Sequence, residues 1–214
     1  MSVKGLELQK RDLEIMRLVY RFRFCLGRHI KVLCGFSGAR ASDRRLKMLV
    51  EAGYLERKKY LYGVPYLYTL THKGRMLVGV NKRADVLRLE KIMHDIHVLD
   101  AVIYICKKFN LAVSSIISEK DMHCSDGFGN RRHYPDFIVY TPKQMIAVEI
   151  EIALKSKDRL TKNVESNYMN FDSQWWILGD NPKLNTLLKE LQSSYSNIRV
   201  QRLEDVINYV TNIR

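Results

Sequence analysis

The sequence predicts a mixed α/β (α+β) protein in two units, 1–83 and 84–214, and three observations carry that expectation. The first is charge. Residues 1–83 hold 19 lysines and arginines against 6 aspartates and glutamates, a net +13, whereas 84–214 hold 17 against 17 and balance. The second is the run of periodicities in the first unit: helix, helix, basic helix, β-hairpin, helix. The third is the stretch RRHYPDFIVYTPKQMIAVEIEIALKSK at 131–157, where two apolar runs, 137–140 and 145–152, flank a Thr-Pro-Lys-Gln turn as strands of a hairpin do.

Bulk properties narrow the function classes. A chain of 214 residues, 46% hydrophobic and 28% charged, has the length and apolar content for a folded core. No apolar run approaches the ~20 residues a membrane helix needs. The stretch MSVKGLELQKRDLEI lacks the apolar segment of a signal peptide, so a soluble cytoplasmic protein is expected, with no membrane partner. Cys25, Cys34, Cys106 and Cys124 form no CxxC pair, which fits reduced thiols. A module at +13 attracts polyanions, and double-stranded DNA is the expected one.

In chain order, 9–24 carries Leu13, Met16, Val19 and Tyr20 at helical spacing, and 26–33 is a second short helix. A turn at 37–42 leads into DRRLKMLVEAGYL, whose stripe of Leu46, Leu49 and Val50 faces inward and whose Gly53 supplies the C-terminal stop. Alternating segments at 55–61 and 66–70 surround Tyr62-Gly63-Val64-Pro65, and 71–80 returns to helix. This is the order of a winged helix-turn-helix, and LKMLVEAGYLERKK followed by PYLYTLTHKGRMLV resembles many winged-helix DNA-binding domains. On that reading Arg40, Arg44, Arg45 and Lys47 lie on the helix that enters the groove, and Arg57, Lys58 and Lys59 contact phosphate from the wing.

A junction at 82–86 precedes a long helix at 87–109, interrupted by His94, Asp95, His97 and Asp100. His94 and His97 are spaced to ligate a metal from one helix face, or to make ordinary hydrogen bonds against a sheet. A strand at 111–118 ends on Glu119, a further acid near the site or a surface group. His123, Cys124 and His133 surround the loop SDGFGN without the spacing of a zinc site, so they are read as unrelated loop residues. Arg131, Arg132 and Tyr134 then precede the acids, placed to meet a phosphate or a base. Beyond the hairpin, 155–170 is a helix whose early turns carry Lys155, Lys157, Arg159 and Lys162, against the dipole preference and therefore suited to a polyanion. Strand 175–178, helix 183–192, strand 198–202 and helix 204–212 complete the chain.

Side chains alternate along a strand, so Glu149 and Glu151 share one face of the second hairpin strand. Asp136 opens the neighbouring strand after Pro135, and a tight hairpin brings it toward Glu149. Converging acids with Lys155 nearby suit a hard divalent cation, Mg²⁺ or Mn²⁺, and phosphodiester chemistry. Pro135-Asp136, Glu149-Ile150-Glu151 and Lys155 resemble the PD-(D/E)XK nuclease core. The longer run AVEIEIALKS, with a helix and then Trp175-Trp176-Ile177-Leu178 behind it, resembles the replication-relaxation family, which includes the MobC-type relaxases of mobilisable plasmids. Glu151 stands where the nuclease motif has its lysine: either Lys155 substitutes from a shifted position or the site is inactive.

That resemblance implies a winged helix followed by a restriction-endonuclease-like α/β domain, acting as a nickase at a plasmid or mobile-element origin. Asp136, Glu149, Glu151 and Lys155 are the implied catalytic group, and Asp136, Glu149 and Glu119 the metal ligands. His94 and Asp95, on a helix that brings polar residues toward the site in that family, are further candidates. Tyr168 is a candidate nucleophile, or a packing residue. No His-x-His triplet exists, which disfavours a mechanism built on a histidine pair in a strand. The alternative function is a non-catalytic DNA-binding accessory or regulator on a degenerate nuclease fold. Other mobilisation or replication proteins, and a second copy of the chain, are the expected protein partners.

Overall fold

The computed structural model describes residues 6–81, 85–126, 132–153 and 156–213. Helices and two sheets give a mixed α/β protein, as expected. The chain divides into two compact units, 1–99 and 100–213, so the division falls inside a helix rather than at the expected junction near 83.

The first unit contains α1 (Lys10–Arg21), β1 (Cys25–Leu26), α2 (Gly27–Leu33), α3 (Ala39–Glu51), β2 (Leu55–Lys58), β3 (Leu67–Leu70), α4 (His72–Leu77) and the first half of α5 (Leu89–Lys108). Its antiparallel sheet has the order β1-β3-β2. Phe24, Leu26, Leu67, Ile92 and Ile96 form a core cluster, with Tyr60, Leu61, Val64 and Leu87 packed against it. Helix α3 begins at Ala39, inside the stretch expected to be a turn, because Gly38 already adopts the extended conformation of an N-cap. It ends on a Schellman motif. Gly53 takes φ +75° and the N–H groups of Gly53 and Tyr54 reach back to the carbonyls of Val50 and Leu49.

The second unit continues α5 and adds β4 (Ile116–Ser118), α6 (Glu119–Asp126), β5 (Phe137–Tyr140), β6 (Met145–Glu151), α7 (Lys157–Asn170), β7 (Ser173–Leu178), α8 (Pro182–Ser194), β8 (Ile198–Arg202) and α9 (Leu203–Thr211). The expected strand at 111–118 is shorter, since a 3₁₀ turn takes Val113–Ser115. The sheet runs β4-β5-β6-β7-β8, antiparallel from β4 to β6 and parallel from β6 to β8. Period-2 alternation separates its two tryptophans. Trp176 packs with Leu160 and Val164 of α7 and with Leu184, Leu187 and Leu188 of α8, whereas the Trp175 ring meets Phe109 at 5.1 Å. Tyr104 of α5 meets Tyr209 of α9 at 5.2 Å. Helix α6 occupies a stretch expected to be loop. Ser118 and Asp121 form a reciprocal capping pair there, Ser118 N–H to Asp121 Oδ2 at 2.9 Å and Asp121 N–H to Ser118 Oγ at 3.1 Å.

Candidate functional site

In the second unit the candidate site is built where β5 starts and β6 ends. Phe137 pairs with Val148, so Asp136 stands beside Glu149 at that end of the ladder. The Asp136 side chain accepts a hydrogen bond from the Ile150 N–H, 2.7 Å to Oδ2. The Glu149 side chain is almost wholly buried, and β6–β7 pairing sets it opposite Trp176, toward the face that α7 covers.

Burial of a carboxylate requires partners. Glu149 Oε1 has two: His133 Nε2 at 2.6 Å and Asn167 Nδ2 at 2.9 Å. Its pKa is raised above the ordinary carboxyl range, first by burial and then by the charge of Asp136, while hydrogen bonds from His133 and Asn167 act the other way. His133, expected to be an unrelated loop residue, instead hydrogen-bonds the buried acid. Asn167 went unnoticed as well, although it follows Leu160 and Val164 along the buried stripe of α7, where an amide is out of place among apolar side chains. Its Oδ1 is buried and makes no hydrogen bond.

Several other expected members fall elsewhere. Glu119 opens α6 beside Asp136, whose carbonyl accepts its N–H at 3.1 Å, and its carboxylate faces His123 at 3.9 Å. Among the described residues no group of three or more His, Cys, Asp or Glu side chains is placed to share a metal ion. Glu151 lies at the end of β6, on the face it shares with Glu149. Lys155 and Arg131 lie outside the described residues. Arg132 is exposed, pairs with Asp126 and lies over the Tyr134 ring at 4.9 Å. Tyr168 packs edge-on against Tyr195 at 5.2 Å, about 100° around α7 from Asn167, and so belongs to a packing contact rather than to the buried acid. His94 and Asp95 fall in the first unit, paired with each other at 3.3 Å. Asp136 and Glu149 supply hard oxygen donors of the kind Mg²⁺ or Mn²⁺ takes, and the donor chemistry fits such an ion.

The first unit presents a second candidate surface. Arg40, Arg44 and Lys47 recur at i, i+4 and i+7 on the exposed side of α3, opposite Ser42, Leu46 and Leu49. Arg40 and Arg44 make no ion pair or hydrogen bond among the described residues, and Lys47 meets only Glu51, at 3.7 Å. A cleft of about 430 Å³ lies here, lined by Arg11, Arg40, Arg44 and Arg45 together with Phe36 and Met48. Arg45, expected in the same role, points inward instead. Its guanidinium grips the fully buried Asp12 of α1, with Nε 2.7 Å from Oδ1, and its side chain is only 13% exposed. That ion pair fastens α3 to α1. On the hairpin Arg57 lies over the Tyr66 ring at 4.4 Å, Lys58 pairs with Glu56 at 3.1 Å, and Lys59 lies 5.8 Å from the ring of the fully exposed Tyr62.

Comparison with protein-family models, curated proteins and solved structures gives no match to this chain. No described helix is long and apolar enough to cross a membrane. The geometry of these two surfaces therefore carries the functional reading.

Proposed function

We propose that the chain binds double-stranded DNA through its first unit and cuts one phosphodiester with its second, as a nickase at a plasmid or mobile-element origin. The observation that supports DNA binding best is the uncommitted pair Arg40 and Arg44 on α3, in a unit whose residues 1–83 carry a net +13. The helix–helix–helix–hairpin–helix order agrees with a winged helix, and α7 and β7 behind the Asp136–Glu149 strand pair agree with the nuclease-like core that the motif resembles. In this reading Asp136 and Glu149 hold Mg²⁺ or Mn²⁺, which when bound lowers the pKa of a coordinated water and neutralises phosphate charge. The Ile150 N–H orients the Asp136 carboxylate, and His133 and Asn167 orient that of Glu149. Arg132, exposed and next to His133 in the chain, is the cation for the flanking phosphate, exchanging Asp126 for it.

A second reading, a non-catalytic DNA-binding accessory or regulator, is favoured by one feature: Glu149 is already satisfied by His133 and Asn167, with Glu151 where the nuclease motif has lysine. Both readings require DNA binding. Fluorescence anisotropy with a labelled duplex, taken from 50 to 300 mM salt (~14 to 6 Å screening length), tests it. The wild-type affinity should fall steeply with salt. Arg40→Ala with Arg44→Ala should weaken binding about tenfold or more and flatten the salt slope by about one to two. Wild-type protein without salt-dependent DNA binding would overturn both readings.

A further inference from the structure

The buried amide of Asn167 has one half explained and one half not. Its Nδ2 donates to Glu149 Oε1 at 2.9 Å, which fixes the orientation of the group, because a flipped amide would set oxygen against oxygen. The residue is wholly buried, and Oδ1 is left with no hydrogen-bond partner. An amide oxygen held in that condition against a carboxylate calls for a ligand. Both donors to Glu149 converge on Oε1. Asp136, beside Glu149, has its Oδ2 oriented by the Ile150 N–H.

We infer that Asn167 Oδ1 is the third oxygen ligand of a divalent cation held with Glu149 and Asp136. This rests on the reading of those two acids as metal ligands and adds the donor that the acids alone do not provide. A neutral amide suits the place. Two carboxylates balance a dication, and a third acid would leave net negative charge in a buried site. The Nδ2–Oε1 hydrogen bond ties the two ligands together, so β6 and α7 present their oxygens as one unit. The ion is hard and oxygen-seeking, Mg²⁺ or Mn²⁺, and binds without any change in oxidation state.

Manganese titration of the full chain, read by the electron-paramagnetic signal of free Mn²⁺ and by the rise in Tm, tests this directly. Wild type should bind one Mn²⁺ at this site, Glu149→Gln should lose it, and Asn167→Ala should bind about tenfold more weakly or worse. Asn167→Asp, which keeps an oxygen in place but gives up the Nδ2 donor and adds a charge, should still bind Mn²⁺. It decides the matter if Asn167→Ala does not fold. Wild-type affinity in folded Asn167→Ala, or loss of all Mn²⁺ binding in folded Asn167→Asp, would overturn the inference while leaving Asp136 and Glu149 as ligands. No Mn²⁺ binding by wild type would remove the metal reading itself.

Discussion

Glu149 illustrates how a single residue joins stability to function. Burial raises its pKa, the neighbouring charge of Asp136 raises it further, and His133 and Asn167 only partly offset this. Below the ordinary carboxyl range the folded and unfolded chains both hold the proton. As pH rises toward the higher folded value, the unfolded chain releases its proton first, so the folded state loses stability. Glu149→Gln keeps the acceptor oxygen and removes the titration. In chelator, raising pH from 4 to 8 should therefore lower the Tm of wild type relative to Glu149→Gln; parallel curves would contradict the raised pKa. Asp136 and Glu149 were legible in the sequence because strand alternation and a four-residue turn specify which side chains meet. Arg45 was not. Helical spacing put it among surface cations, but its partner Asp12 lies 33 residues away, and only tertiary packing reveals that pairing. His133 was hidden for the same reason, 16 residues from Glu149 and beyond a loop.

At the scale of elements, long periodic helices and the 137–151 hairpin followed from apolar spacing alone, and Gly53 marked a true helix stop. Helix α6 was missed because EKDMHCSD carries too few apolar residues to show a stripe, although Ser118-x-x-Asp121 is a capping signature that could have marked it. Helix α4 depends on close approach. Thr71 caps it by accepting from the Gly74 N–H at 3.1 Å and donates to the Gly53 carbonyl at 2.6 Å, which draws the first turn onto the end of α3. A Cβ at Gly74 would stand 2.2 Å from the Tyr54 carbonyl oxygen, a backbone atom that cannot swing aside. Gly74→Ala should therefore destabilise the fold by about 1–3 kcal/mol, the usual cost of overpacking. Urea denaturation would show this as a lower midpoint; an unchanged midpoint would mean that α4 and Tyr54 can separate without loss.

For the whole molecule, charge is partitioned by unit: the cationic first part presents arginines on α3 and the hairpin, and the balanced second part buries an acid beside another acid. On the proposed function, one unit captures the polyanion and the other carries the chemistry, which suits the charges because a carboxylate site alone would repel phosphate. The division was visible in the sequence as a composition shift. Its boundary was not, because α5 runs through residue 99 as an unbroken helix and carries no linker signal.

The central claim is tested most directly by incubating supercoiled plasmid, carrying the DNA that flanks this protein's own gene, with the protein and Mg²⁺ or Mn²⁺. Wild type should convert it to the open circle only with metal, and Asp136→Ala and Glu149→Ala should each abolish the conversion. A supercoiled plasmid left intact by wild type, with salt-dependent DNA binding retained in all three proteins, would contradict nicking and establish the regulator.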